Sequence, residues 1–293
     1  MTGLSPMDLA IRASARWVSK PLMAAPLPPT VLRNIAETSA TLSSRPPAGT
    51  RTRWVGDCLY LTPPGVPEDA GVVFHIHGGG FVLGSPRTHA ALAAYMAQAA
   101  GLRAVLPRYP LAPEAPFPAA RDACIAAWEA VCETGKTPVA ISGDSAGGCL
   151  ALQVLLHVRD TGRTLPARVG LISPLADLTG TAPELHENRH SEHLIPERWA
   201  RSSIAGYLAG ADPTSPEVSP LFADLSGLPP ARIQYSETEV LAGDAKRLAK
   251  ALPQAELSPL PDLPHLFHIY AGFSPAAQDA LADLGRFLGD RSP

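Results

Sequence analysis

Gly143-Asp144-Ser145-Ala146-Gly147 sets a serine at the centre of a G-x-S-x-G pattern. A hydroxyl framed this way suits nucleophilic attack. The pattern demands a turn so tight that the positions two before and two after the serine tolerate almost no side chain. Gly143 and Gly147 fill those positions. The turn strains the serine backbone and projects its hydroxyl at the start of the next helix. Free N–H groups and the helix dipole favour developing negative charge there. Alone the pattern is modest evidence, because a Gly-rich turn with an idle serine reads the same way.

His77-Gly78-Gly79-Gly80 adds a second feature. Three consecutive glycines let backbone N–H groups approach a substrate without obstruction. Acyl transfer needs such donors where a carbonyl oxygen becomes an oxyanion. Two N–H groups from this loop and one from Ala146 would form the set. A phosphate-cradling loop fits poorly, since no Lys follows and the G-x-G-x-x-G spacing is absent.

A hydroxyl is a weak nucleophile, so it needs a general base, and the base needs an orienting acid. His265 is the best placed histidine. It follows the last expected strand and precedes the C-terminal helix, in the chain order serine, acid, histidine. His268 reads as a packing or surface residue, His75 as a structural strand residue, and His77 as an orienter of the glycine loop. His157, His186, His190 and His193 have no motif around them. His186-Glu187-Asn188-Arg189-His190 fits the H-E-x-x-H zinc spacing but lies in a polar, Pro-flanked segment. No metal and no organic cofactor is expected. The acid should end the strand at 231–235. Glu239 is the first candidate, with Glu237 and Asp244 as alternatives. Asp144 reads as a turn or pocket residue rather than the orienting acid.

The elements that hold these residues alternate between β and α. Strands are expected at 72–76, 104–106, 139–142, 169–173, 231–235 and 256–260. Helices are expected at 88–100, 119–131, 146–159, 197–208, 243–252 and 275–288. Short β-rich runs between helices predict an α/β fold with a mostly parallel sheet covered on both faces. Residues 1–50 differ. Helical patterns at 7–18 and 31–42, separated by Pro26, Pro28 and Pro29, read as an attachment that could serve as a lid. Residues 51–293 then form the main domain.

Composition excludes several classes. With 46% hydrophobic and 17% charged residues among 293, the chain can bury a sizeable core and is not a disordered type. A net charge of −3 and no basic stripe give nucleic-acid binding no electrostatic support. No apolar run approaches the roughly 18 residues of a membrane span. Arg12, Arg16 and Lys20 are not followed by an apolar segment with a cleavage site, so a secretory signal is not expected. The four scattered cysteines, without C-x-x-C, fit a reducing cytoplasm.

Together these residues resemble the hormone-sensitive-lipase-like branch of the α/β-hydrolase superfamily, the bacterial family IV esterases. The likeness runs from about residue 54 to the C-terminus. It includes HGGGFVLGS (77–85), YPLAPEAPFPAA (109–120), GDSAGG (143–148), SPLADLTG (173–180), YLAGADP (207–213), SPLFADLSGLPP (219–230) and PDLPHLF (261–267). The resemblance implies an α/β-hydrolase fold with an N-terminal helical cap. It implies Ser145 as nucleophile, His265 as base, and Gly79, Gly80 and Ala146 as oxyanion donors.

Two departures matter. The acid segment reads E-T-E-V-L, with Thr238 where one form of the family motif has Asp, which moves the aligned acid to Glu239. The usual Y-R-L-A-P-E is Y-P-L-A-P-E, which touches no member of the trio. The implied activity is a serine carboxylesterase acting on small esters of short to medium chain length, with no nucleic-acid or membrane partner. An amidase, lactonase or acyltransferase could use the same residues. A ligand receptor on this fold, like the plant gibberellin receptors, lacks a working histidine, and the His265 loop argues against it. The substrate pocket is expected from residues 1–50 and 180–210, with Trp17, Leu22, Trp199 and Tyr207 as lining candidates. A homodimer is common in the family.

Overall fold

A computed structural model describes residues 3–134 and 138–290. The N-terminal segment begins with helix α1 (Pro6–Ser14), started by a capping box between Ser5 and Asp8. It runs on through a widened π turn (Ala15–Ser19) into α2 (Lys20–Ala24). The wide turn lies just ahead of Pro21, which has no N–H to return to the preceding turn. The helical run therefore reaches beyond the expected 7–18. Helix α3 (Pro29–Ser43) follows, close to the expected 31–42.

An antiparallel hairpin comes next, β1 (Arg51–Val55) and β2 (Cys58–Thr62), closed by Gly56 and Asp57. The remaining chain supplies β3 (Val72–Ile76), α4 (Ala90–Ala100), β4 (Arg103–Pro107), α5 (Ala119–Glu133), β5 (Ala140–Asp144), α6 (Ala146–Asp160) and β6 (Arg168–Ile172). Then come α7 (Glu184–Glu187), α8 (Glu197–Leu208), β7 (Ala231–Ser236), α9 (Ala242–Ala251), β8 (Ala255–Leu260) and α10 (Pro275–Gly289). The expected central strands and helices all form, with ends displaced by one or two residues. The short α7 was not anticipated.

The eight strands make one sheet in the order β1-β2-β4-β3-β5-β6-β7-β8. Pairing is parallel from β4 through β8 and antiparallel from β1 to β4. Every residue of β3 and β5 is buried, as expected of interior strands covered on both faces. Alternate residues serve opposite layers. Val73, Ala140 and Ile172 pack with Leu92, Met96, Leu281 and Leu284 beneath α4 and α10. Phe74, Ile141 and Leu171 pack with Trp128, Leu150 and Val154 beneath α5 and α6.

The ends of β5, β7 and β8 lead into the loops that carry Ser145, Glu239 and His265, so the sheet brings distant residues to one edge. The N-terminal helices are tied to these loops and their neighbours. Arg12 donates to Asp262, and Lys20 donates to the carbonyls of Arg189 and Glu192. Arg33 donates to the carbonyls of Val82 and Ala112 and pairs with Glu114. Among the described residues no helix is long and apolar enough to cross a membrane.

Candidate active site

Ser145 caps α6 with φ 51° and ψ −122°, a left-handed conformation that a side chain rarely adopts. Its N–H donates to the Ile172 carbonyl at 2.9 Å, and its own carbonyl accepts from Leu175 N at 3.0 Å. These bonds hold the turn in place. A β-carbon on Gly143 would lie 2.2 Å from the Gly147 carbonyl oxygen, and one on Gly147 would lie 2.1 Å from that of Ile76. Both contacts are with backbone, which cannot swing away. Gly147→Ala is therefore expected to lower unfolding free energy by about 3 kcal/mol, read by urea denaturation.

His265 is buried. Its Nδ1 lies 2.8 Å from Glu239 Oε2, across 26 residues of chain. Its Nε2 is buried without a hydrogen-bond partner. Burial works against a charged imidazole here. The hydrogen bond and charge of Glu239, with help from Glu192 and Asp144, outweigh it and raise the His265 pKa above its ordinary value. Glu239 is itself fixed, because Ser236 N–H donates to Oε1 at 3.0 Å and leaves Oε2 for the imidazole. Thr238, where the family motif can carry Asp, donates to Asp262 Oδ1 at 3.0 Å and so joins the Glu239 loop to the His265 loop.

The two alternative acids are engaged elsewhere. Glu237 is more than half exposed and pairs with Lys246 and the Tyr235 hydroxyl. Asp244 accepts from Ala176 N and Asp177 N and pairs with Arg247. Neither reaches His265.

Ser145, Gly79, Gly80 and His265 line one cavity of about 200 Å³, with Met23, Ala40, Leu266 and Ile269 among its apolar walls. Gly79 and Gly80 have φ 113° and 60°. The Tyr109 hydroxyl donates to the His77 carbonyl at 2.7 Å, and its ring stacks on His77. His77 Nδ1 lies 2.9 Å from the Gly78 carbonyl, a contact within the loop itself. A second, smaller cavity of about 40 Å³ also reaches Ser145 and Gly80, between Leu175, Leu185, Ile195 and Val240.

A profile of the alpha/beta hydrolase fold matches residues 73–269. An acetyl-hydrolase from Streptomyces hygroscopicus is 36% identical over 240 residues, covering 80% of each chain. An esterase from Acinetobacter venetianus is 37% identical over 223 residues, covering 74% of each. The crystal structure of an esterase from the bacterial hormone-sensitive lipase family superposes with a TM-score of 0.90. It is 32% identical and covers 98% of this chain and 99% of that one. The chain is a hormone-sensitive-lipase-like α/β hydrolase.

Within this α/β hydrolase, the lining candidates named from sequence divide. Trp199 lines both cavities at Ser145. Trp17 does not, being 74% exposed on the outer face of the π turn. Leu22 is half-buried and lines neither cavity; its neighbour Met23 takes that place. Tyr207 is fully buried, stacked on Phe81 at 3.7 Å, and belongs to the core. All three are large side chains in the expected segments, and residue type does not say which way a side chain turns.

His268 is buried against Gln234, and burial pushes its pKa down to about 3. His186 sits at the surface against Glu197, and among the described residues no group of three or more His, Cys, Asp or Glu side chains is placed to hold a metal ion. His89 was overlooked in the sequence. It precedes α4, lines the larger cavity and faces Asp144.

Proposed function

We propose that the chain is a serine carboxylesterase in which Ser145 attacks the ester carbonyl, His265 carries the proton and Glu239 holds the imidazole. One arrangement carries the reading. A buried imidazole has one nitrogen bonded to a carboxylate and the other unpartnered, at a cavity that a strained serine also lines. The Ser145 proton passes to His265 Nε2 as the oxygen–carbon bond forms. The oxyanion is met by the N–H groups of Gly79, Gly80 and Ala146. His265 then gives the proton to the departing alkoxide. Water, activated by the same nitrogen, frees the acyl group from Ser145. Residues 3–50, with about 180–210, act as the cap over this site. The esterase and acetyl-hydrolase names of the relatives support an ester substrate.

The two cavities divide the substrate. The leaving oxygen must lie beside His265, so the larger cavity takes the alcohol. The smaller one then takes the acyl chain. A water-sized group needs roughly 10–15 Å³ measured this way, so about 40 Å³ holds about three. That favours acetyl to butyryl esters, the lower end of the short-to-medium range. Trp199 limits this space, its ring so close that a β-carbon on Gly80 would lie 2.7 Å from it.

The test is hydrolysis of 4-nitrophenyl acetate, butyrate, octanoate and laurate. The kcat/KM value should fall about tenfold or more from butyrate to octanoate. In Trp199→Ala the octanoate-to-butyrate ratio should rise about tenfold. Preference of the wild type for octanoate would overturn the division of the cavities. Turnover of no ester by folded protein would overturn the function.

A further inference from the structure

Residues 188–193 directly follow α7 and overlap the stretch whose spacing fits the zinc pattern. Glu192 N–H donates to the Asn188 carbonyl at 2.8 Å, so the chain makes one helical turn here. Positions 188, 191 and 192 therefore share a face. That face lies on the loop of Glu239. Asn188 Nδ2 donates to the Glu237 carbonyl at 3.0 Å and to the Glu239 carbonyl at 2.9 Å. The Ser191 hydroxyl lies 3.0 Å from the Thr238 carbonyl and 3.1 Å from that of Asn188, with one proton for the two. Val240 N–H donates to Glu192 Oε2 at 3.2 Å. One turn thus bonds the backbone of four consecutive residues, 237–240.

Glu192 is 1% exposed, and its carboxylate is met by backbone N–H groups. Burying such a group is costly unless bonds of this kind serve it. Its other oxygen, Oε1, accepts from Leu194 N–H at 2.7 Å and from Ile195 N–H at 3.3 Å. Leu194 and Ile195 are walls of the cavity at Ser145. A single side chain therefore joins the acid loop to the cavity wall. The turn is held from outside as well. Lys20 of α2 donates to the carbonyls of Arg189 and Glu192. His193 Nε2 lies 2.8 Å from Asp262 Oδ1, on the loop of His265.

We propose that Asn188 and Glu192, helped by Ser191, clamp the acid loop so that Glu239 stays against His265 while Leu194 and Ile195 stay at the cavity. None of the three lines either cavity at Ser145, so they are positioning residues. The proposal rests on the ester-hydrolase reading above. Its signature lies in the titration of His265. Three carboxylates raise that imidazole's pKa: Glu239 by its bond and charge, Glu192 and Asp144 by charge. Burial keeps the neighbouring His268 neutral. A looser acid loop weakens the first and largest of the raising effects.

The experiment compares wild type, Glu192→Gln and Asn188→Ala on 4-nitrophenyl butyrate across pH. In Glu192→Gln an amide N–H must face one of the backbone N–H groups, so the acid loop or the wall loses its acceptor. The kcat value should fall about 30-fold, with the acid limb moved to lower pH. Asn188→Ala removes two bonds to the loop and no charge. It should lower kcat about tenfold and move the limb the same way. An unmoved limb in Asn188→Ala would reduce Glu192 to a charge effect and overturn the clamp. So would kcat of Glu192→Gln within about twofold of wild type. Asn188 is only half-buried, so its variant decides the matter if Glu192→Gln does not fold.

Ring-nitrogen NMR of His265 reads the same contact without turnover. Its titration midpoint should be lower in Asn188→Ala than in wild type. Equal midpoints would overturn the proposal even in a fully active enzyme. Absence of ester turnover in the wild type would instead fall on the function, leaving that titration to judge the clamp.

Discussion

Ser145→Ala is expected to lower kcat for 4-nitrophenyl butyrate by on the order of 10^6-fold, the scale on which a serine hydrolase loses its covalent route. The size follows from what remains. Without the hydroxyl no acyl-enzyme forms. The donor loop and cavity can then assist only direct attack by water, worth about 10^3–10^4 over solution. The fold should be unaffected or slightly stabilised. The Ser145 backbone is held by its bonds to Ile172 and Leu175, not by its hydroxyl. Alanine is strained at φ 51° as serine is. A near-normal urea midpoint with a residual rate near background is the expected pair of results. Retention of more than about a hundredth of wild-type kcat would remove Ser145 from the nucleophile's position.

The glycines around Ser145 make the turn legible in the sequence. Their absent side chains are the signal, and the carbonyls of Ile76 and Gly147 occupy the space those side chains would need. The parallel strands are legible because strands covered on both faces read as short apolar runs, Val72-Val73-Phe74 in β3 and Ala140-Ile141 in β5. The hairpin of β1 and β2 was not delimited. Arg51, Thr52 and Arg53 are exposed edge residues, so apolar run length says nothing about them. The Gly56-Asp57 pair, a two-residue loop with φ 55° at the glycine, was the usable signal.

His89 was missed for a related reason. His89 falls at the start of the helix expected over 88–100 with no motif around it, and its partner lies 55 residues on at Asp144. Pocket residues fared worst. Trp17 and Tyr207 are both aromatic and in the right segments, yet one faces solvent and the other the core. Periodicity fixes which face of a helix is buried. It does not say whether the buried space beyond is packed or empty.

Glu239→Gln carries the second large effect, about 10^4-fold in kcat, with His265 still in place. The amide keeps the shape but can offer Nε2–H to the imidazole, which favours the tautomer with its proton on the wrong nitrogen. It also withdraws the charge that stabilises imidazolium while the proton is held. The pH profile gives the sign check. Burial lowers the His265 pKa, while the bond and charge of Glu239 raise it, and the raising effects win. Activity needs neutral His265 and is lost as pH falls through that raised value, so the wild-type acid limb should lie above the ordinary imidazole range. With Glu239 neutralised, burial dominates, and the limb of the residual activity should move to lower pH. Glu237→Gln should leave both rate and limb within about twofold of wild type, since that carboxylate faces Lys246 and solvent. A Glu239→Gln enzyme with an unshifted acid limb would show that another group sets the charge on His265, whatever its rate.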